Sequence, residues 1–231
     1  MILIGTTVPP WQPEDRATAW LKTKHTGNLK GHELHYFAAL EVDGRGLESH
    51  KTLLDKLLRA DAGGACGVYW TFSLDDRQKY YQTGVRSRRV VIGRNLIIEA
   101  ALSMNTDYAL FLDSDVEPEP DCLAKLLECD TPVVAGDIPA YAFSGGEKDD
   151  SYSFPTRIVR WAPAGLLLVR KDALQRVRWG WDPTRNMTDD PFFGEQVRDL
   201  LGLCIRLRED AIGRHPPLTP LEQRGYDLRV Q

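Results

Sequence analysis

Two carboxylates, Asp113 and Asp115, stand one residue apart directly after an apolar run from Tyr108 to Leu112. A short apolar run followed by turn-formers reads as a buried strand of an α/β sheet. The carboxyl end of such a strand is where open α/β sheets hold their ligands. Two acids crowded there repel unless a cation lies between them, so the pattern reads as a divalent metal site. Oxygen ligands favour Mg²⁺ or Mn²⁺, ions that usually carry a substrate's phosphates. Asp and Ser are also ordinary turn residues, so Asp113-Ser114-Asp115 taken alone fits an exposed acidic turn as well. The strand before it and the groups described next favour the metal.

Gly93-Arg94-Asn95 reads as the opening of a helix one element earlier. Helix starts bind phosphate through free N–H groups and the helix dipole. Arg94 would neutralise a diphosphate there, and Asn95 would cap the helix or touch a nucleotide. The competing reading is a solvated Arg beside a capping Asn. Asp189-Asp190 lies among aromatic residues just before a helix expected over 195–201. Aromatic cover raises a carboxylate's pKa, which suits a general base. Acids at a helix start are also common for the dipole's sake. His215 is the only histidine beyond residue 50, and a neutral imidazole there could complete a metal's coordination. Ala164-Gly165 precedes another buried strand, where a small residue lets a sugar approach the backbone or simply makes a tight turn.

The elements that must position these groups alternate. Strands are expected at 1–6, 34–42, 66–72, 108–112 and 132–136. Helices are expected at 17–24, 48–59, from 93 onward and from 120 onward. Leu53, Leu54, Leu57 and Leu58 form one apolar stripe, and Leu96, Ile97, Ala100, Ala101 and Met104 form another. Alternation of this kind means a mostly parallel, wound sheet. Beyond residue 136 the pattern changes. Residues 141–153 lack periodicity and read as a loop able to close over a ligand. Strands are expected at 158–161, 165–169 and 203–207, with helices at 171–177 and 195–201.

The 231 residues, 42% hydrophobic, suit one α/β domain over 1–215 with a tail at 216–231. The change of pattern divides it into 1–136 and 137–215. Cys66, Cys122, Cys129 and Cys204 have no metal-knuckle spacing; three of them sit in apolar surroundings, and they read as reduced core residues. No signal peptide and no membrane-length apolar run is present, which points to a soluble protein of the cytoplasm, away from any membrane. Net charge is −4, but residues 151–231 hold 13 Lys+Arg against 10 Asp+Glu. That asymmetry permits an anionic ligand near the C-terminal half.

Taken together the chain resembles glycosyltransferases of the GT-A fold, especially the inverting family-2 type. The compact forms carried by bacteriophages are the most similar. The resemblance rests on four blocks in order. They are Gly93-Arg94-Asn95, Leu112-Asp113-Ser114-Asp115, Ala164-Gly165 before Leu-Leu-Leu-Val, and Met187-Thr188-Asp189-Asp190-Pro191 with His215 downstream. It implies a GT-A domain and a nucleoside-diphosphate sugar donor with Mn²⁺ or Mg²⁺. Asp115 would bind the metal directly, Asp113 the metal or the ribose, and His215 would be a third ligand. Thr6, Thr7 and Val8 would lie against the base, and Asp43 would reach the nucleoside. Arg94, Asn95, Ser114, Ala164 and Gly165 complete the donor site. Asp190 would be the general base, with Asp189 where the family often has Glu. A soluble single-transfer enzyme is implied, working in the host cytoplasm if phage-encoded.

Two other classes stay open: a sugar nucleotidyltransferase and a non-catalytic nucleotide-sugar-binding protein. The first lacks its glycine- and lysine-rich phosphate loop after the opening strand, and the intact carboxylate pair speaks against the second. The acceptor hydroxyl is open between a virion protein and a hydroxylated base of phage DNA. A pI near 5.8 gives no general polyanion footprint, though a local basic groove can suffice for DNA.

Overall fold

The computed structural model describes residues 1–9, 19–42, 50–59, 64–70, 83–139, 146–185 and 187–215. Among these described residues, ten strands form one sheet. They are β1 (Ile2–Val8), β2 (Leu34–Val42), β3 (Gly64–Trp70), β4 (Tyr108–Leu112), β5 (Glu117–Pro118), β6 (Val133–Asp137), β7 (Gly146–Lys148), β8 (Thr156–Val159), β9 (Leu166–Arg170) and β10 (Ile205–Arg214). The helices are α1 (Ala19–Lys22), α2 (Lys51–Leu58), α3 (Thr83–Ser103), α4 (Cys122–Glu128), α5 (Lys171–Leu174) and α6 (Asp189–Leu201).

The strand order is β3-β2-β1-β4-β9-β6-β10-β8-β7, with β5 on β10. The first four strands pair in parallel, as the alternation of strands and helices requires. β9 then inserts antiparallel between β4 and β6. β4 is thus flanked on both edges inside the sheet, which is why Ala109 to Leu112 can be uniformly apolar and buried. Each such Leu or Phe removed from water contributes roughly 1.5–3 kcal/mol.

Side-chain alternation along the strands sorts the core into two layers. Leu3, Phe37, Ala39, Ala109 and Phe111 face α3, meeting Val91, Ile97, Ile98 and Ala101. Ile2, Ile4, Tyr36, Leu40, Leu110 and Leu112 face the other way, against Leu53 and Leu57 of α2 and Leu123 and Leu126 of α4. Trp20 of α1 is fully buried on that second face, edge-on to Tyr36 at 5.5 Å between centroids.

Four expectations need correction. Gly93-Arg94-Asn95 does not open a helix, because α3 starts ten residues earlier and places all three at mid-helix. The arginine-rich stretch before Gly93 is helical because Arg is a good helix former. One of its residues, Arg89, also pairs with the buried Glu41 of β2 at 2.5 Å. The last helix begins at Asp189, not Glu195, so the acidic pair forms its first turn. Pro191 does not stop it, since a proline in the first turn removes no intrahelical bond. The last strand runs on through its charged residues to Arg214, because Arg206 and Arg208 find acid partners in Asp149 and Asp210. Finally, 146–153 is no open loop. β7 pairs with β8, and Asp149, 6% exposed, accepts hydrogen bonds from Arg206 Nε at 2.6 Å and Ser151 N–H at 3.1 Å. Residues 141–145 lie outside the described residues, as does Asp43. The core reading of the cysteines holds for Cys122 and Cys129, which are buried, and not for Cys66 and Cys204, which are exposed; all four are free.

Candidate active site

The parity that sends Phe111 toward α3 sends Asp113 the same way. Asp113 leaves β4 with its N–H donating to the Gly165 carbonyl at 3.2 Å, one rung past the last β4–β9 pair, Leu112 with Leu166. Its own carbonyl accepts from Val116 N–H at 3.0 Å, closing a tight turn that holds Ser114 and Asp115. Ser114 is buried in that turn.

Beyond the turn, β5 runs antiparallel to the end of β10, with Glu117 opposite Arg214 and Pro118 opposite Gly213. That pairing delivers His215 to the acidic turn. His215 Nε2 lies 3.2 Å from Asp115 Oδ2, and both side chains are largely shielded. Two groups held at ~2.0–2.2 Å by one ion lie about 3 Å apart, so this pair has the spacing of two ligands of a single cation. Among the described residues, no group of three or more His, Cys, Asp or Glu is placed to hold a metal ion, so the protein ligands would be this pair. Remaining positions would fall to phosphate and water, the usual arrangement for Mg²⁺-type ions. An imidazole nitrogen and a carboxylate oxygen are donor types that such a metal accepts.

Arg94 joins Asp113 of the acidic turn to the acidic pair Asp189-Asp190. From mid-α3 its Nη2 donates to Asp113 Oδ1 at 3.3 Å, and its Nη1 to Asp190 Oδ1 at 2.9 Å and to Asp189 Oδ2. The guanidinium is 5% exposed. Burial works against its charge, but Asp190, Asp189 and Asp113 raise its pKa above the ordinary value. Asp190 also accepts the Ala164 N–H at 3.3 Å. Thus Arg94, Asp113, Ala164, Gly165, Asp189 and Asp190, scattered over the sequence, share one site. Desolvation and the neighbouring Asp189 charge push the Asp190 carboxyl up to about 7, against the pull of Arg94. A carboxyl poised there can change protonation state near neutrality.

Other expected residues stand differently. Arg94 cannot act through a helix N-terminus, being two and a half turns or more inside α3 by the ~3.6-residue repeat. Asn95 neither caps the helix nor faces the acidic turn. Its Nδ2 donates to the Trp179 carbonyl and its Oδ1 accepts the Trp179 N–H, both at 3.0 Å. Along β1, Thr6 and Val8 point into the core layer of Ile2 and Ile4, fully buried. Thr7 has the opposite parity and is the one of the three with an accessible side chain.

Trp179 was not marked by any spacing in the sequence, yet it floors the site. Its ring lies 4.5 Å beneath the Arg94 guanidinium carbon, stacks on Phe193 at 4.1 Å and 16°, and meets Phe111 edge-on. The only sequence signal was aromatic enrichment between 179 and 193.

No protein-family model and no curated protein sequence matches this chain. Solved structures do. The chain is similar to GalNAc-T7, crystallised with UDP, GalNAc and Mn²⁺, at a TM-score of 0.57 and 9% identity over 98% of this chain and 47% of that one. It is similar to TarS 1-349 of S. aureus with UDP-GlcNAc, at a TM-score of 0.57 and 11% identity over 95% of this chain and 60% of that one. The same TarS fragment with UDP gives a TM-score of 0.57 and 12% identity over 95% of this chain and 61% of that one. The chain spans about half to three-fifths the length of these relatives. At such identities the likeness establishes the fold, which is the GT-A fold.

Proposed function

We propose that this protein is a metal-dependent glycosyltransferase that moves a sugar from a nucleoside-diphosphate donor to an acceptor hydroxyl with inversion at the anomeric carbon. The observation that carries the reading is the single guanidinium of Arg94 joining Asp113, at the metal turn, to Asp190. Donor-side and base-side carboxylates are thereby parts of one site, as a direct transfer requires. UDP and UDP-GlcNAc in TarS, and UDP with Mn²⁺ in GalNAc-T7, support a UDP-sugar as the first donor to try.

In this reading Asp115 and His215 would hold Mn²⁺ or Mg²⁺ with Asp113 alongside, and the bound ion would supply positive charge against the departing diphosphate. Asp190 accepts the proton of the acceptor hydroxyl as that oxygen bonds to the anomeric carbon. The bond from that carbon to the diphosphate oxygen breaks on the opposite face, and its electron pair leaves with the nucleotide. Base assistance of this kind is typically worth ~10²–10⁴-fold. Arg94 remains within reach of both partners and offsets charge there. Thr7 and the β1 backbone flank the nucleotide base, and the buried Ala164-Gly165 turn serves by holding Asp190 and Asp113 through its main chain.

The test is incubation with a panel of sugar nucleotides, UDP-GlcNAc and UDP-GalNAc first, with Mn²⁺ or Mg²⁺. Released nucleoside diphosphate supports the reading. Pyrophosphate or nucleoside monophosphate would mark a nucleotidyltransferase, and binding without turnover would mark a binding protein. Mass analysis of candidate acceptors, protein against DNA nucleosides, then assigns the hydroxyl.

A further inference from the structure

We propose that Trp179 is a positioning residue for the transfer, fixing the plane of Arg94 so that one guanidinium reaches Asp113 and Asp190 together. The inference rests on the glycosyl-transfer reading and deepens it.

A free arginine side chain samples many rotamers, and a bridge between carboxylates on different elements needs one of them. The ring of Trp179 lies 4.5 Å under the guanidinium carbon, the arrangement in which an aromatic face attracts and flattens a cation against itself. The ring is immobilised from the other side. It is 3% exposed, stacked on Phe193 at 4.1 Å and 16°, and edge-on to Phe111 at 5.5 Å. Phe193 belongs to α6, whose first turn carries Asp189 and Asp190, and Phe111 belongs to β4, which ends at Asp113. The floor under Arg94 therefore touches both elements that Arg94 bridges.

The main chain of Trp179 is held too. Asn95, the residue after Arg94 on α3, clamps both its N–H and its carbonyl at 3.0 Å. Adjacent residues of one helix thus grip one tryptophan, Asn95 by the peptide and Arg94 by the ring. The indole Nε1 donor is buried without a hydrogen-bond partner. Filling space alone would be served by Phe without that desolvation cost. The larger indole face is the stronger platform for a cation, which gives the tryptophan a use beyond packing.

The experiment compares wild type with Trp179→Leu, Trp179→Phe, Asn95→Ala and a core control, Leu174→Ala, whose side chain is fully buried in the same layer. Two quantities are read: UDP affinity with Mn²⁺ by calorimetry, and single-turnover transfer at saturating donor. Trp179→Leu is expected to slow transfer on the order of tenfold to a hundredfold, as small misplacements of reacting groups do. Its UDP affinity should stay within about threefold, because the lost contact acts on the reacting step and not on uniform binding. Trp179→Phe should recover most of the rate, and Leu174→Ala should change neither quantity comparably. Transfer by Trp179→Leu as fast as by Leu174→Ala, or no recovery with Phe, overturns the proposal. If Trp179→Leu does not fold, Asn95→Ala decides: it should slow the same step, and an unchanged rate overturns the proposal.

The platform is also read without turnover, by a double-mutant cycle of Arg94→Met and Trp179→Leu in chemical unfolding. Coupling of about tenfold in the folding constant is expected for a desolvated cation over an indole. Absence of coupling removes the platform. Coupling in a protein that neither binds UDP nor uses any sugar nucleotide leaves the platform standing and refutes the glycosyl-transfer reading instead.

Discussion

Asp113 and Gly165 approach each other so closely that a side chain at 165 would have to displace the Asp113 carboxylate. The Asp113 N–H donates to the Gly165 carbonyl at 3.2 Å, and a Cβ built on Gly165 would stand 2.9 Å from Asp113 Oδ2. The carboxylate that begins the acidic turn thus occupies the space where a side chain of the opposing strand would project.

Gly165→Ala should therefore act on binding more than on folding. The new methyl would meet the far ends of two flexible side chains, Asp113 and Ile138, which can rotate away cheaply. Melting should change by no more than about 1–2 kcal/mol of stability, within the usual range of small substitutions. Displacing Asp113 should weaken UDP–Mn²⁺ binding by about tenfold, the scale of losing one metal-site or charge-assisted contact. Calorimetric titration beside a thermal melt checks both, and normal binding with a large stability loss would assign Gly165 to packing alone.

Asp115 and His215 should fail together. Asp115→Asn and His215→Ala each remove one member of the 3.2 Å pair. Each is expected to weaken Mn²⁺ activation by about 10–100-fold, with the double variant little worse than the worse single one. Titrating Mn²⁺ against transfer rate gives the apparent affinity. Independent, additive effects would mean that the two do not share an ion.

Much of the site was legible where the signal was local. The Tyr108–Leu112 strand and the turn after it sit next to each other in sequence, so Asp113 and Asp115 were readable from one short window. Arg94 was readable as a site cation, but its setting was not. The polar stretch before Gly93 looked non-helical because the buried partner of Arg89, Glu41, lies on another strand. The end of β10 was hidden likewise, since Arg208 and Arg206 look like solvent-facing charges until their acid partners and aromatic covers are in place. Trp179 left no periodic trace, because its contacts with Arg94, Phe111 and Phe193 come from three elements far apart in the chain.

Arg94 should be intolerant of Lys. An ammonium is a point charge and cannot present two separate N–H donors in one plane to Asp113 and Asp190. Arg94→Lys should keep net charge and lose transfer by roughly 10²–10³-fold, the scale of removing a preorganised electrostatic donor. Arg94→Ala, measured against UDP and uridine, should weaken UDP more than uridine if the guanidinium meets the diphosphate. Equal losses would confine Arg94 to organising the carboxylates.

Asp190 should set the acid limb of the pH–rate profile. Desolvation and the Asp189 charge hold its carboxyl up to about 7, so at lower pH it is protonated and unable to accept the acceptor's proton. The rate constant kcat/KM, which reports the free enzyme, should rise as pH passes through that value. Asp189→Asn removes a like charge and releases Arg94 toward Asp190, and both changes should move the limb to lower pH. Stability should run the opposite way. A carboxyl whose folded pKa exceeds its ordinary value of 3.8 binds more protons folded than unfolded. Its contribution is therefore favourable at low pH and is lost as pH rises from about 4 to about 7. Asp190→Asn should abolish that part of the pH dependence of unfolding while keeping UDP affinity and losing transfer. NMR of the product should show the anomeric configuration inverted. A retained configuration, or normal transfer by Asp190→Asn with a dead Asp189→Asn, would move the base off Asp190. An acid limb unchanged by Asp189→Asn would show that the titrating group lies elsewhere.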